Sequence, residues 1–204
     1  MISVGEIQRS LTGVWRIVRR LPGASDCFDQ TYAGFARSFN AMLIAAPLIL
    51  ISAASVLQMA MTLEDSRAAY DGISLTQYAL VELGGSLFGW GSFLLLMAPL
   101  SRQLELGGTY TSYVITYNWG ALGSHILFAM PLTLYLMGLL SNEAAALLSV
   151  PAMAVTGYYR YLIAREVLGA SLTSAVGIVA LNVIYSLIIN QISGMMFFPS
   201  IGAS

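Results

Sequence analysis

Glu82 is the one carboxylate of this chain expected inside a long apolar segment, and His125 lies inside another, so any chemistry in the apolar part would start with them. Charged groups are expensive in lipid, and a carboxylate there points to proton or ion handling. Glu82 sits about five residues from the outer end of its segment, or ~8 Å at 1.5 Å per residue, which equally fits a hydrated carboxylate at the rim. His125 is the sole histidine and Cys27 the sole cysteine. They cannot supply the roughly four ligands of a structural zinc site. His125 is either one ligand of a haem or pigment shared with a partner chain, or a neutral imidazole hydrogen-bonded between helices. Asn182, Asn190 and Gln191 add amides to the last apolar segment. With Glu82 and Asn142 they are expected towards the outer side, where Glu82 and Asn190 would line a polar path. No HExxH zinc pair, Gly-x-Ser-x-Gly elbow or phosphate loop is present, so the chain reads as a non-enzyme without cofactor or metal.

The elements that must position these groups are membrane helices. Of 204 residues, 57% are hydrophobic and 9% charged, against about 25% charged in soluble domains. The fold class expected is an all-α polytopic helix bundle of five transmembrane helices with an N-terminal amphipathic helix. The net charge of −1 leaves no basic surface for nucleic acid. No h-region precedes a small-residue cleavage site, so the first span reads as an uncleaved anchor.

The spans are expected at about 40–61, 77–100, 110–140, 144–162 and 172–198, and they divide the chain into a cytoplasmic interfacial segment (1–38), a five-helix domain (39–199) and a short outer tail (200–204). Pro47, Pro99, Pro131 and Pro151 are candidate helix breaks. There are nine arginines and no lysine. Five spans place Arg9, Arg16, Arg19, Arg20, Arg37, Arg102, Arg160 and Arg165 on one side and Arg67 on the other. The positive-inside rule makes the arginine-rich side cytoplasmic and the C-terminus periplasmic, in a bacterial inner membrane.

Residues 1–23 carry Ile7, Leu11, Val14, Trp15, Val18 and Leu21 at helical spacing, with Arg9, Arg16, Arg19 and Arg20 between them. Such a helix suits an anionic headgroup layer or the protein's own inner face. Tyr113, Tyr117 and Trp119 at the start of the third span, and Tyr158, Tyr159, Tyr161, Arg160 and Arg165 at the end of the fourth, are expected as an interfacial collar in contact with lipid. Gly85 and Gly89, and Gly120 and Ser124, have small-xxx-small spacing. They imply close packing of the second and third spans, or a contact with a second copy.

The order of these features resembles Yip1-like membrane proteins and small bacterial relatives of unassigned role. The shared ground is a polar N-terminal region, five apolar segments, Tyr-x3-Tyr-Asn-Trp at Tyr113–Trp119, and Tyr-Arg-Tyr-Leu-Ile-Ala-Arg-Glu-Val-Leu-Gly at Tyr159–Gly169. The resemblance covers about residues 35–198 and carries no catalytic residues. The expected function is a non-catalytic scaffold or accessory subunit that binds membrane lipids and a partner membrane protein or a second copy. The alternatives are a small transporter or channel-like protein using Glu82 and Asn190, and a pigment- or haem-associated subunit using His125.

Overall fold

A computed structural model describes residues 2–198 and the side chains of all of them except Asp65; Pro199 and the 200–204 tail lie outside the described residues. Among the described residues the regular structure is entirely helical. In chain order the α-helices are α1 (Val4–Val18), α2 (Tyr32–Ser38), α3 (Asn40–Thr62), α4 (Glu64–Tyr70), α5 (Leu75–Gln103), α6 (Tyr110–Leu136), α7 (Asn142–Leu162) and α8 (Leu172–Phe197). A π-helical turn, Ile163–Val167, continues α7. Four segments are long and apolar enough to cross a membrane: Tyr32–Thr62, Leu75–Gln103, Gly107–Leu136 and Leu172–Phe197. The fourth expected span, α7, has 21 residues, or ~31 Å, but is less apolar and is not among them.

The long helices close into a ring. α6 packs between α3 and α7, α5 packs between α3 and α8, and α7 touches α8. Arg20 pairs with Glu166 at 3.5 Å, and Thr109 Oγ1 donates to the Leu168 carbonyl at 2.6 Å. The N-terminal region and the turns after α5 and α7 therefore share one end of the bundle, with the arginines. At the opposite end Asn142 donates to Thr62 at 2.6 Å, and the Tyr78 and Phe198 rings lie 5.6 Å apart. The described chain starts near the end that holds Arg20 and Glu166 and finishes near the end that holds Tyr78.

Local chemistry sets the helix limits. Ser3, Thr31, Ser74, Ser141 and Ser171 each accept a backbone N–H of the first turn, satisfying a donor with no partner inside its helix. α6 stops at Leu136 and not at the expected residue 140. Gly138 takes φ +73° and the Leu139 N–H reaches back to the Leu134 carbonyl at 2.9 Å, a left-handed closure that favours glycine. None of the four prolines breaks a helix; Pro47, Pro99, Pro131 and Pro151 all lie inside α3, α5, α6 and α7.

The glycine faces differ from the expected pairing of second and third spans. A Cβ on Gly85 would lie 3.2 Å from Ser193 Oγ, and one on Gly89 would lie 3.4 Å from Ile189. Both glycines face α8. Gly120 faces the Tyr159 ring of α7, where a Cβ would fall 1.9 Å from the ring, and the Ser124 hydroxyl bonds back to the Gly120 carbonyl. Periodicity shows that a small face exists; the ring order decides which neighbour uses it.

α1 packs against α6 and α7, with Val14 and Leu11 facing Gly123 near the middle of α6. Its buried stripe is Glu6, Ser10, Gly13 and Ile17, with Phe28 and Cys27 pressed against Gly13. The apolar residues expected to form its face flank this stripe, and Trp15 stays 56% exposed with the Arg19 guanidinium 5.5 Å above its ring. An acidic clasp fixes the start of α1. Arg37 Nε donates to Glu6 at 3.0 Å and Nη2 to Asp29 at 2.5 Å.

Hydrogen bonds from Thr31, and then the neighbouring Arg37, hold the Asp29 carboxyl below the usual carboxylate range. A folded-state value below the unfolded one, which is about 3.9, means the Arg37–Asp29 contribution is complete above that value and lost as pH falls through the folded one. Trp15 fluorescence should therefore be flat from neutral pH into mild acid and change only below the ordinary carboxylate range, and Asp29→Asn should remove that step. A second expectation concerns Gly120. Gly120→Ala should cost on the order of 1–3 kcal/mol through overpacking and lower the melting temperature in detergent, whereas Gly84→Ala, with nothing within 4 Å of its Cβ, should leave it nearly unchanged.

Candidate functional site

The inner half of α6 departs most from expectation. Every residue from Tyr113 to Gly120 is buried, and Trp119 is 2% exposed. Tyr117 and Trp119 are thus interior side chains and not a collar on lipid. The reason is that α1, α2 and the π-helical turn pack over this part of α6, so the aromatic residues meet protein at the depth where the sequence suggests headgroups.

Asn118 is wholly buried and bridges three elements. Its Oδ1 accepts the Trp90 indole N–H of α5 at 2.8 Å, and its Nδ2 donates to the Ser38 hydroxyl of α2 at 2.8 Å. Two residues earlier on α6, the Thr116 carbonyl accepts from the Tyr159 hydroxyl at 2.7 Å. Buried polar groups need such partners because an unmade bond in an apolar medium carries the full desolvation cost.

Arg160 follows Tyr159 and turns into the bundle. It was expected at the end of the fourth span. The π-helical turn extends that helix to Val167, which leaves Arg160 more than a turn inside it. Its Nη1 donates to Asn182 Oδ1 of α8, its guanidinium stands 5.9 Å from the Tyr117 ring centroid, and Asn182 Nδ2 donates to the Tyr117 hydroxyl at 3.0 Å. Asn182 is 3% exposed, so it belongs to this interior group and not to the outer side. Among the described residues the ion pairs involve Arg20, Arg37, Glu6, Asp29 and Glu166; Arg160 has no carboxylate partner. Arg160 is half-buried in the last turn of α7, and its guanidinium faces a neutral amide and an aromatic ring.

These residues surround a cavity of about 200 Å³ where α5, α6, α7 and α8 meet. Arg160, Asn182 and Tyr117 form one wall, Trp90, Ala121 and His125 another, and Ser186 and Asn190 line the α8 side, with Gly85, Ser86 and Gly89 opposite. Asn190 is exposed and stands at the mouth. The His125 ring stacks on Trp90, centroids 5.9 Å apart. A smaller cavity of about 120 Å³ adjoins it, sharing Ser86 and His125 and lined also by Glu82 and Tyr78. The structure thus gathers His125, Asn182, Asn190 and Arg160 in one cavity, with Glu82 beyond it. It does not bring in Trp15, Arg16, Arg19, Arg20 or Arg165. Arg16 donates to the Gly23 carbonyl and Arg165 to that of Ala170, both at the arginine-rich end. No group of three or more His, Cys, Asp or Glu residues able to hold a metal occurs among the described residues.

Comparison with family models, with curated proteins and with solved structures returned no match.

Asn118 was legible in the sequence only as part of an aromatic patch, since its role depends on Ser38 and Trp90 arriving from distant segments. Asn118→Ala leaves the Trp90 indole N–H without its acceptor, while the Ser38 hydroxyl keeps its bond to the Phe35 carbonyl. It should cost on the order of 1–3 kcal/mol, read as a lower melting temperature with the helical content unchanged at low temperature.

Proposed function

We propose that this chain is a five-span membrane protein of the bacterial inner membrane, with the arginine-rich end in the cytoplasm, that admits a polar solute or headgroup to a cavity inside its bundle. It is closer to a small transporter or channel-like protein than to a bare scaffold. The observation that supports this reading is the convergence of Arg160, Asn182, His125 and Asn190 on one cavity. A scaffold has no need of a cationic side chain facing an internal space, because its polar residues serve only to join helices. The orientation rests on the positive-inside rule applied to an end that holds eight of the nine arginines. α7 serves as the fifth span by its length of 21 residues, ~31 Å, with Arg160 of it lining the cavity.

Membrane lipids remain expected partners at α1, where the exposed Trp15 and the arginines beside it suit an anionic leaflet. The Yip1-like resemblance is kept for the arrangement of spans alone. His125 has no second ligand among the cavity residues and stacks on Trp90, which supports a packing role over that of a pigment ligand.

Water access tests the cavity. In a Cys27→Ser background, Asn190→Cys and Ser86→Cys should react with a small, membrane-impermeant thiol reagent in intact vesicles, while Ala175→Cys, fully buried in the bundle, should not. If Asn190→Cys and Ser86→Cys are as inert as Ala175→Cys, the cavity is dry and the scaffold reading replaces this one.

A further inference from the structure

Arg160 differs from every other arginine of the chain in its setting. It projects into an internal cavity, and its described protein partners are a neutral amide and an aromatic face. A guanidinium carries five N–H donors in a planar fork. Asn182 takes one, and no carboxylate neutralises the charge. In a low-dielectric bundle an uncompensated cation favours an anion strongly. The Tyr117–Asn182 pair holds the fork in place: the Tyr117 hydroxyl fixes the amide, and the amide fixes Nη1. That is a pre-organised donor set, which lowers the ordering cost of binding.

Resting on the cavity reading above, we propose that Arg160 and Asn182 form a binding site for an oxyanion group, a phosphate by preference. The volume of about 200 Å³ equals roughly six waters at ~30 Å³ each. That space admits a phosphate with its immediate substituent but not a large polar head. The two-pronged geometry of guanidinium with phosphate favours this class over a halide. The Asn190 amide on the α8 wall supplies a further donor towards the mouth, while the Ser186 hydroxyl is spent on the Asn182 carbonyl at 2.9 Å. Glu82 lies in the adjoining cavity beyond Ser86 and His125, so a carboxylate marks the far end of the polar space and the cation the near end. An anion is drawn to one end and disfavoured at the other. The phosphate arrives either as the headgroup of an anionic lipid or as a free phosphorylated solute.

Trp90 lines the cavity, so its fluorescence reports occupancy. The experiment uses the full chain with Trp15 replaced by Phe, in nanodiscs of phosphatidylcholine. One arm titrates inorganic phosphate; the other exchanges phosphatidylglycerol into the bilayer. A saturable signal in either arm is expected, and the arm that responds identifies the source. Arg160→Gln should weaken the response roughly tenfold or more. Arg160→Lys, which keeps the charge and the fold but loses the fork, should fall between. Arg102→Gln, at the surface of the same end, should bind as the parent does, which separates site binding from general attraction of anions. Absence of a saturable signal in both arms overturns the proposal, and so does a response that Arg160→Gln and Arg160→Lys leave unchanged. If thiol labelling still shows a wet cavity in that case, only the oxyanion assignment has failed. If labelling also fails, the cavity reading falls with it.

Discussion

The close approach of the Tyr159 ring to the backbone of α6 at Gly120 sets the register of α7, and the interior of the bundle depends on it. A side chain at Gly120 would occupy the space of that ring, and the ring's hydroxyl is tied to the Thr116 carbonyl one turn away. With Tyr159 fixed on α6, the next residue is rotated by about 100° around the helix. That rotation carries Arg160 towards α8 and Asn182. A shift of one residue in this contact would turn the guanidinium to lipid or into α6, and the cavity would lose its cation.

The second condition is the wrapping of the inner half of α6. Asn118 can be buried because Trp90 and Ser38 meet it from opposite sides. Those two residues are held by α5 and by the short helix α2, whose position is fixed in turn by the Arg37 clasp to Glu6 and Asp29. The N-terminal region is thereby part of the bundle's polar bookkeeping and not an appended anchor. Its exposed Trp15 and arginines still face outward from the docked helix, so one segment serves packing on one side and the surroundings on the other.

Much of this architecture could be read from residue order. Long apolar runs place the helices to within a few residues, whereas the Gly138 closure that ends α6 at Leu136 was not read from them. The misplaced features share one cause. Tyr117, Trp119 and Arg160 have the composition of an interfacial collar, and nothing local distinguishes an aromatic residue that meets headgroups from one that meets another helix. Asn182 looked peripheral for a similar reason, since its depth relative to Arg160 depends on the π-helical turn lengthening α7. The glycine pairs announced close contacts but carried no address, because in the ring α5 meets α8 and α6 meets α7.

The amino-acid sequence by itself determined the helical class and four helices long and apolar enough to cross a membrane, because these follow from hydropathy counted along one dimension. Only the tertiary structure decided which polar residues share a space. Arg160, Asn182, His125 and Asn190 come from three helices, and their meeting is set by ring order and by the rotation of each helix about its axis, which depends on contacts between distant segments, such as the Tyr185–Ser92 bond across 93 residues.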